Sequence, residues 1–318
     1  MAHPRDPARP RGAGLTDGGA VTAPAAAVRP PSLARDLIAL TKPRIISLLL
    51  LTTLAPMYVA GTPSWSVILW TGIGGYLMAG GANAVNMYLD RDIDVVMART
   101  KLRPIPSGRL SARTVLAFGI AIATAATWLL GHYVNVLTAA LALSGFYFYV
   151  FVYTRWLKRT TPQNIVLGGA AGAFPPLVGW AAVTGRVDLA SIYLFLIVFY
   201  WTPPHFWALA LLKQRDYGNA GVPMAPNIWG ERETIDQMLW YTVLLIALTI
   251  LPVTFGVFGL FYLASALVLG GILLRGVWRI RTLNVRGESW IPVAWRVYKY
   301  SLLYLALLFV AMAVDRHI

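Results

Sequence analysis

Nine stretches of about 20 apolar residues follow one another along this chain, near 36–60, 66–88, 113–131, 134–153, 164–184, 190–212, 237–254, 257–277 and 296–314. A run of that length crosses the hydrocarbon core of a bilayer as a helix, because in lipid every backbone N–H and C=O must be satisfied within the segment. Of the 318 residues, 58% are hydrophobic and only 13% charged, too little charge to cover a soluble surface of this size. The chain is therefore predicted to be an all-α, polytopic membrane protein with about nine transmembrane helices. The seventh and eighth spans are the least separable. Residues 1–32, rich in Pro, Ala, Gly and Arg and without an apolar core for a signal peptide, are predicted to be a disordered tail. Residues 33–318 are predicted to be one transmembrane domain, with no short-period repeat and no soluble domain between spans.

The formal net charge is +14, but the bases sit in short segments between apolar runs and not along one soluble face, so membrane topology explains them and nucleic acid is not expected as a partner. Arg91, Arg99, Lys101, Arg103, Arg109 and Arg113 fall between spans two and three, Arg155, Lys158 and Arg159 between four and five. Lys213, Arg215 and Arg232 fall between six and seven, and Arg275, Arg279, Arg281 and Arg286 between eight and nine. The alternate connections carry almost nothing but Arg186. The bias of Lys and Arg toward the cytoplasm puts the N-terminus inside and the C-terminus outside. The absence of cysteine excludes thiolate metal sites.

The second span ends in an unusual way, running through "NAVNMYLDRDIDVVMARTKLRP" from apolar residues into acids and then bases. On a helix, positions four apart differ by about 40° in azimuth and about 6 Å in rise, so Asn86, Asp90 and Asp94 share one face while Asp92 points about 160° away. One amide and two carboxylates, all oxygen donors, suit Mg²⁺, which takes one or two protein carboxylates and completes its shell with water and substrate phosphate. The bases of "RTKLRPIPSGR" follow directly. Metal beside Arg and Lys describes a diphosphate site, where both share the oxyanion charge. Anchoring at an anionic leaflet would explain the bases but not the acids.

The N-x-x-x-D-x-x-x-D pattern of "NMYLDRDID" resembles that of UbiA-type intramembrane prenyltransferases. The blocks "LTKPRIISLLLLT", "YTRWLKRTTPQNIVLGGAAGAFPPLVGW", "WTPPHFWALAL" and "DYGNAGVPM" resemble the haem-farnesylating branch of that family, over about residues 36 to 315. The resemblance implies a nine-helix bundle around a central cavity opening near the cytoplasmic face of the cell membrane. It implies transfer of the farnesyl group of farnesyl diphosphate to a vinyl group of haem b, with addition of water, forming haem O. It further implies Mg²⁺ on Asn86, Asp90 and Asp94, and diphosphate binding by Arg99, Lys101, Arg103, Lys158 and Arg159. Handover of product to a haem A synthase or a terminal oxidase is a partner relation that the family suggests.

The family's second acidic motif is incomplete. Leu212 stands four residues before Asp216, so one carboxylate remains, with Lys213 as its basic neighbour in the diphosphate-binding set. Asp216 binds through water or pairs with Lys213. His205, next to Pro203 and Pro204, which are expected to disturb the helix, is by itself more often a satisfied polar contact in a membrane span than a ligand, and with the resemblance becomes a candidate to ligate haem iron or to hydrogen-bond a propionate. Asn164 is assigned to haem binding mainly on the resemblance. Phe146, Tyr147, Phe148, Tyr149 and Phe151 are candidates to shield an allylic cation, although packing or lipid contact explains each one singly. Two other classes stay open, prenyl transfer to another acceptor such as a quinone precursor or a chlorophyll-like ring, and a non-catalytic haem-binding or assembly protein. A transporter would place its acids at mid-membrane on paired broken helices, not at one surface.

Overall fold

The computed structural model describes residues 32–318. The predicted tail, but for Ser32, lies outside the described residues. Among them there is no strand. The chain runs α1 (Leu33–Thr41), α2 (Pro43–Ala60), α3 (Trp65–Leu89), α4 (Arg91–Val96) and α5 (Ala112–Tyr133). It continues through α6 (Val136–Thr160), α7 (Asn164–Thr184), α8 (Leu189–Leu212), α9 (Gln214–Asn219), α10 (Ala225–Ile228), α11 (Glu231–Thr254), α12 (Leu260–Val285) and α13 (Ile291–Asp315). Eight of these are long and apolar enough to cross a membrane. α3, of spanning length at 25 residues, is diluted by glycine and by Asn83 and Asn86. Among the described residues these eight helices and α3 make nine long helices, close to the predicted count of spans, and the chain is a multi-pass membrane protein.

Boundaries differ from the prediction for one reason. Apolarity marks the depth of lipid, whereas the helical hydrogen-bond ladder continues into polar surroundings. α6 runs to Thr160, so Lys158 and Arg159 sit on its last turn and not in a loop. α11 begins at Glu231 and α12 runs to Val285, which puts Arg232, Arg275, Arg279 and Arg281 on helices. The first predicted span is two helices. Pro43 disfavours a right-handed helical conformation at Lys42, which instead adopts φ 56°, ψ 62°, the one non-glycine positive φ among the described residues. Pro203 and Pro204, by contrast, do not break α8.

α3 packs on α5, α7 on both α2 and α8, and α13 on α12, α8 and α2. α7 and α8 are the most enclosed spans. Without a hydrophobic drive between helices in lipid, close approach depends on small residues. A Cβ at Gly179 of α7 would lie 1.8 Å from the Thr53 carbonyl oxygen of α2, and one at Gly81 of α3 would lie 2.7 Å from the Gly119 carbonyl oxygen of α5.

Two features shape the end of the bundle that carries the acids. α3 and α8 each stop at a single non-helical residue, Asp90 and Lys213, before a six-residue helix, α4 and α9. Within α6, Phe148–Leu157 is π-helical, with the Thr154 hydroxyl donating to the Tyr149 carbonyl at 2.8 Å. Such widened turns cluster at functional sites.

Gly179→Val should lower the thermal midpoint in detergent by forcing α2 from α7, at a cost of roughly 1–3 kcal/mol for overpacking. Gly172→Ala, where a Cβ meets nothing within 4 Å, should leave the midpoint unchanged or raise it.

Candidate active site

The acids stand where α3 gives way to α4, and each is met by a base from another part of the chain. Asp90 is 1% exposed and Asp94 2%, so each costs desolvation unless it is paired. Lys158 Nζ from α6 lies 2.5 Å from Asp90 Oδ2. Arg103, from the α4–α5 loop, donates to Asp94 Oδ1 at 2.8 Å and Oδ2 at 2.7 Å. Arg159 grips Asp92 with two nitrogens at 2.7 and 2.8 Å, while its Nη2 lies 3.8 Å from Asp90 Oδ1. Hydrogen bonding from Arg159 holds the Asp92 carboxyl down at about 2. With 61% of its side chain exposed, Asp92 faces out of the buried pair, as the helical spacing required.

Asn86 joins the buried acids through its amide nitrogen, which donates to Asp90 Oδ2 at 2.9 Å and to Thr154 at 3.1 Å. Its oxygen faces Lys42, whose Nζ lies 3.4 Å away and 3.3 Å from Asn83 Oδ1. The oxygen donor expected from Asn86 therefore points at a base, away from Asp90. Lys42, in the helix break before the first span, is a site residue that sequence reasoning passed over. Its signal was the lysine-proline pair in "TKPR". Lys42 is half-buried. Burial, with help from Arg103, lowers its pKa to about 7.

The remaining predicted residues divide. Arg99 is exposed but acts, with Asp216, on the hydroxyl of Tyr217 of α9, whose pKa is pushed up by burial. The first loop and the end of the sixth span thus share one neighbourhood. Lys101 is exposed and its side chain forms no ion pair. The Asp216 carboxylate has no hydrogen bond or ion pair, and Lys213 does not pair with it; Lys213 Nζ lies over the Trp295 ring, 5.7 Å from its centroid. Tyr149 and Tyr153 stack at 5.7 Å and lie within electrostatic range of Asp90. Tyr147 and Phe151 are 59% and 46% exposed on the outer surface, where they cannot shield a buried cation.

His205 is 4% exposed and sits between Trp201 and Tyr298, stacked on both at 4.4 and 4.8 Å, with Nδ1 2.7 Å from Ser301 Oγ. Both ring faces and one nitrogen are taken; Nε2 has no hydrogen bond. Asn164 is fully buried and donates to the carbonyls of Thr161 at 2.7 Å and Pro223 at 3.2 Å, while its Oδ1 has no partner. An apolar cavity of about 300 Å³, lined by Val59, Trp180, Leu194 and Phe258 among others, contains none of the predicted residues.

The donor set fits Mg²⁺ under one condition. No three His, Cys, Asp or Glu come together among the described residues. Asp90 Oδ1 is nevertheless buried with no hydrogen bond. Two carboxylates with an open oxygen suit an ion that completes its shell from a phosphate ligand.

A helical membrane bundle with paired carboxylates and bases at one end has the architecture of an intramembrane prenyltransferase. Residues 48–297 match the model of the UbiA prenyltransferase family, and the chain belongs to that family. A protein from Roseiflexus sp. strain RS-1 named protoheme IX farnesyltransferase is 57% identical over 288 residues, 90% of this chain and 53% of the relative. One of the same name from Symbiobacterium thermophilum is 52% identical over 283 residues, 88% of this chain and 94% of the relative. The chain spans about half the length of several other such relatives. Among solved structures, a digeranylgeranylglyceryl phosphate synthase is similar at TM-score 0.69 with 16% identity, over 89% of this chain and 98% of that one. A UbiA homolog from Archaeoglobus fulgidus bound to DMAPP and Mg²⁺ is similar at TM-score 0.60 with 16% identity, over 88% and 99%. At these identities the likeness shows the fold.

A lysine that burial lowers to about 7 from an ordinary 10.5 binds fewer protons folded than unfolded between those values. Stability from this group should therefore rise as pH climbs from about 7 toward 10.5, and the penalty is full below 7. Lys42→Met should flatten that rise, read as the difference in thermal midpoint between variant and parent across this pH range.

Proposed function

We propose that this chain transfers the farnesyl group of farnesyl diphosphate to a vinyl group of haem b, with addition of water, and that Asp90, Asp94 and the surrounding bases form the donor site. The observation that carries the donor half is the pairing itself. Asp90 with Lys158 and Asp94 with Arg103 are carboxylate–base pairs that become a metal–diphosphate site by exchange of partners. Asp90 and Asp94, with Asn86 once its amide turns, would hold Mg²⁺. The ion supplies neutralisation of the diphosphate charge that grows as the allylic C–O bond breaks. Lys158 and Arg103, released from the acids, move onto diphosphate oxygens, joined by Arg99, Lys101 and Arg159 from the rim. Lys213 and the unpaired Asp216 face the same ligand from the sixth span. Because these bases are already positioned, they act chiefly on charge that develops in the transition state. Tyr149 and Tyr153 flank the acids and present aromatic faces to the allylic cation.

The acceptor half rests on relatives named protoheme IX farnesyltransferase at 45–57% identity. His205 and Asn164 are its candidate contacts. With both imidazole faces covered, Nε2 is the atom left to meet haem, as iron ligand or as donor to a propionate. The N-terminus is cytoplasmic and the C-terminus external, and the acids open toward the cytoplasmic face.

Membranes containing the protein, supplied with haem b, farnesyl diphosphate and Mg²⁺, should yield haem carrying one farnesyl group and one added water by mass spectrometry. Diphosphate release that chelation suppresses, without any modified haem, would instead favour another acceptor. Neither product nor diphosphate release, where a relative works, would point to a non-catalytic haem protein. Asp90→Asn should abolish turnover with the protein still inserted. Asp92→Asn, which touches only an exposed pair, should retain most of it.

A further inference from the structure

Outside the acid cluster, a second buried ion pair has no part in the chemistry so far described. Asp36 of α1 is 4% exposed. Arg109, at the far end of the α4–α5 loop, donates from Nε to its two oxygens at 3.0 and 3.1 Å. The same guanidinium donates from Nη1 to Ser107 Oγ at 2.7 Å and from Nη2 to the Leu102 carbonyl at 3.2 Å. The Ser107 hydroxyl in turn donates to the Arg103 carbonyl at 2.7 Å. From there Arg103 reaches back to Asp94, and the Thr100 hydroxyl donates to the Asp94 carbonyl at 3.0 Å. A continuous polar path therefore runs from α1 to the buried carboxylate. α1 is tied at its other end as well, where the Asn83 side chain donates to the Thr41 carbonyl at 2.9 Å and Lys42 reaches Asn86.

We propose that Asp36 and Arg109 are positioning residues for the diphosphate site, holding the α4–α5 loop so that Arg103 meets the acids or their ligand. Neither touches the reacting groups; they act through Arg103. A carboxylate buried at the start of a short helix costs desolvation unless it is paired. Anchorage of the loop is a return for that cost, since a base on an untethered 15-residue loop between α4 and α5 would lose orientation each time the loop moved. The inference rests on the donor-site reading above, and the test separates the two.

The measurement is calorimetric binding of farnesyl diphosphate with Mg²⁺ to the full chain in detergent. Five proteins are compared, the parent, Asp36→Asn, Asp36→Glu, Arg103→Ala and the Asp36→Asn/Arg103→Ala double variant. Asp36→Asn should weaken binding roughly tenfold, Asp36→Glu should recover most of it, and the double variant should bind no worse than Arg103→Ala alone. An equal loss from Asp36→Asn with and without Arg103 would mean that the pair serves folding only and would overturn the proposal, as would parental affinity in Asp36→Asn. Should Asp36→Asn fail to fold, Arg109→Lys reads the same coupling, since an amine cannot reach Asp36, Ser107 and Leu102 together. A parent chain that binds no farnesyl diphosphate would overturn the donor-site reading and this inference with it.

Discussion

Two carboxylates buried at the end of an apolar bundle cost desolvation unless positive charge is brought to them, and much of this structure is arranged around that requirement. Asp90, at the C-terminal end of α3, also meets a helix dipole that disfavours negative charge, and burying either carboxylate costs desolvation unless it is paired. Positive charge must come from elsewhere. α6 delivers Lys158 to Asp90, and the loop after α4 delivers Arg103 to Asp94. The close packing of α3 on α5 and of α7 on α2, made possible by glycine, fixes the frame within which those bases arrive at hydrogen-bond distance.

The same requirement accounts for the local irregularities. The single non-helical residue Asp90 separates α3 from α4, and Arg103 from the loop beyond α4 closes on Asp94. The π-helical segment of α6 widens the turn that brings Thr154 to Asn86 and Lys158 to Asp90. Lys42 takes a left-handed conformation to direct its amine at Asn83 and Asn86. Strain of this kind persists where surrounding contacts over-determine it, and here it is concentrated on one set of side chains.

Pairing also changes how the site is to be understood. In this arrangement the acids and bases are partners of one another, with Asp90 Oδ1 alone of the four carboxylate oxygens left without a hydrogen bond. Asn86 illustrates the point, since its amide donates to Asp90 and its oxygen faces a lysine, the reverse of what a metal ligand needs. His205 is similar. Its imidazole is covered by two aromatic rings and meets Ser301 through Nδ1, which leaves Nε2 without a hydrogen bond.

The sequence by itself determined the number of spans, the helical class and the face shared by Asn86, Asp90 and Asp94, because hydropathy and the helical period are local properties. It also separated Asp92 from the buried acids, since that separation needs only the angle between neighbouring helical positions. Which base meets which acid was decided by the tertiary structure. Lys158 and Asp90 are 68 residues apart, and Arg109 and Asp36 are 73 apart. No local pattern links partners at that distance. Helix ends were misplaced for a related reason, as backbone hydrogen bonding continues past the lipid boundary that apolarity records. Lys42 stayed hidden because its importance lies in a backbone conformation and an enclosure that only the packed helices create.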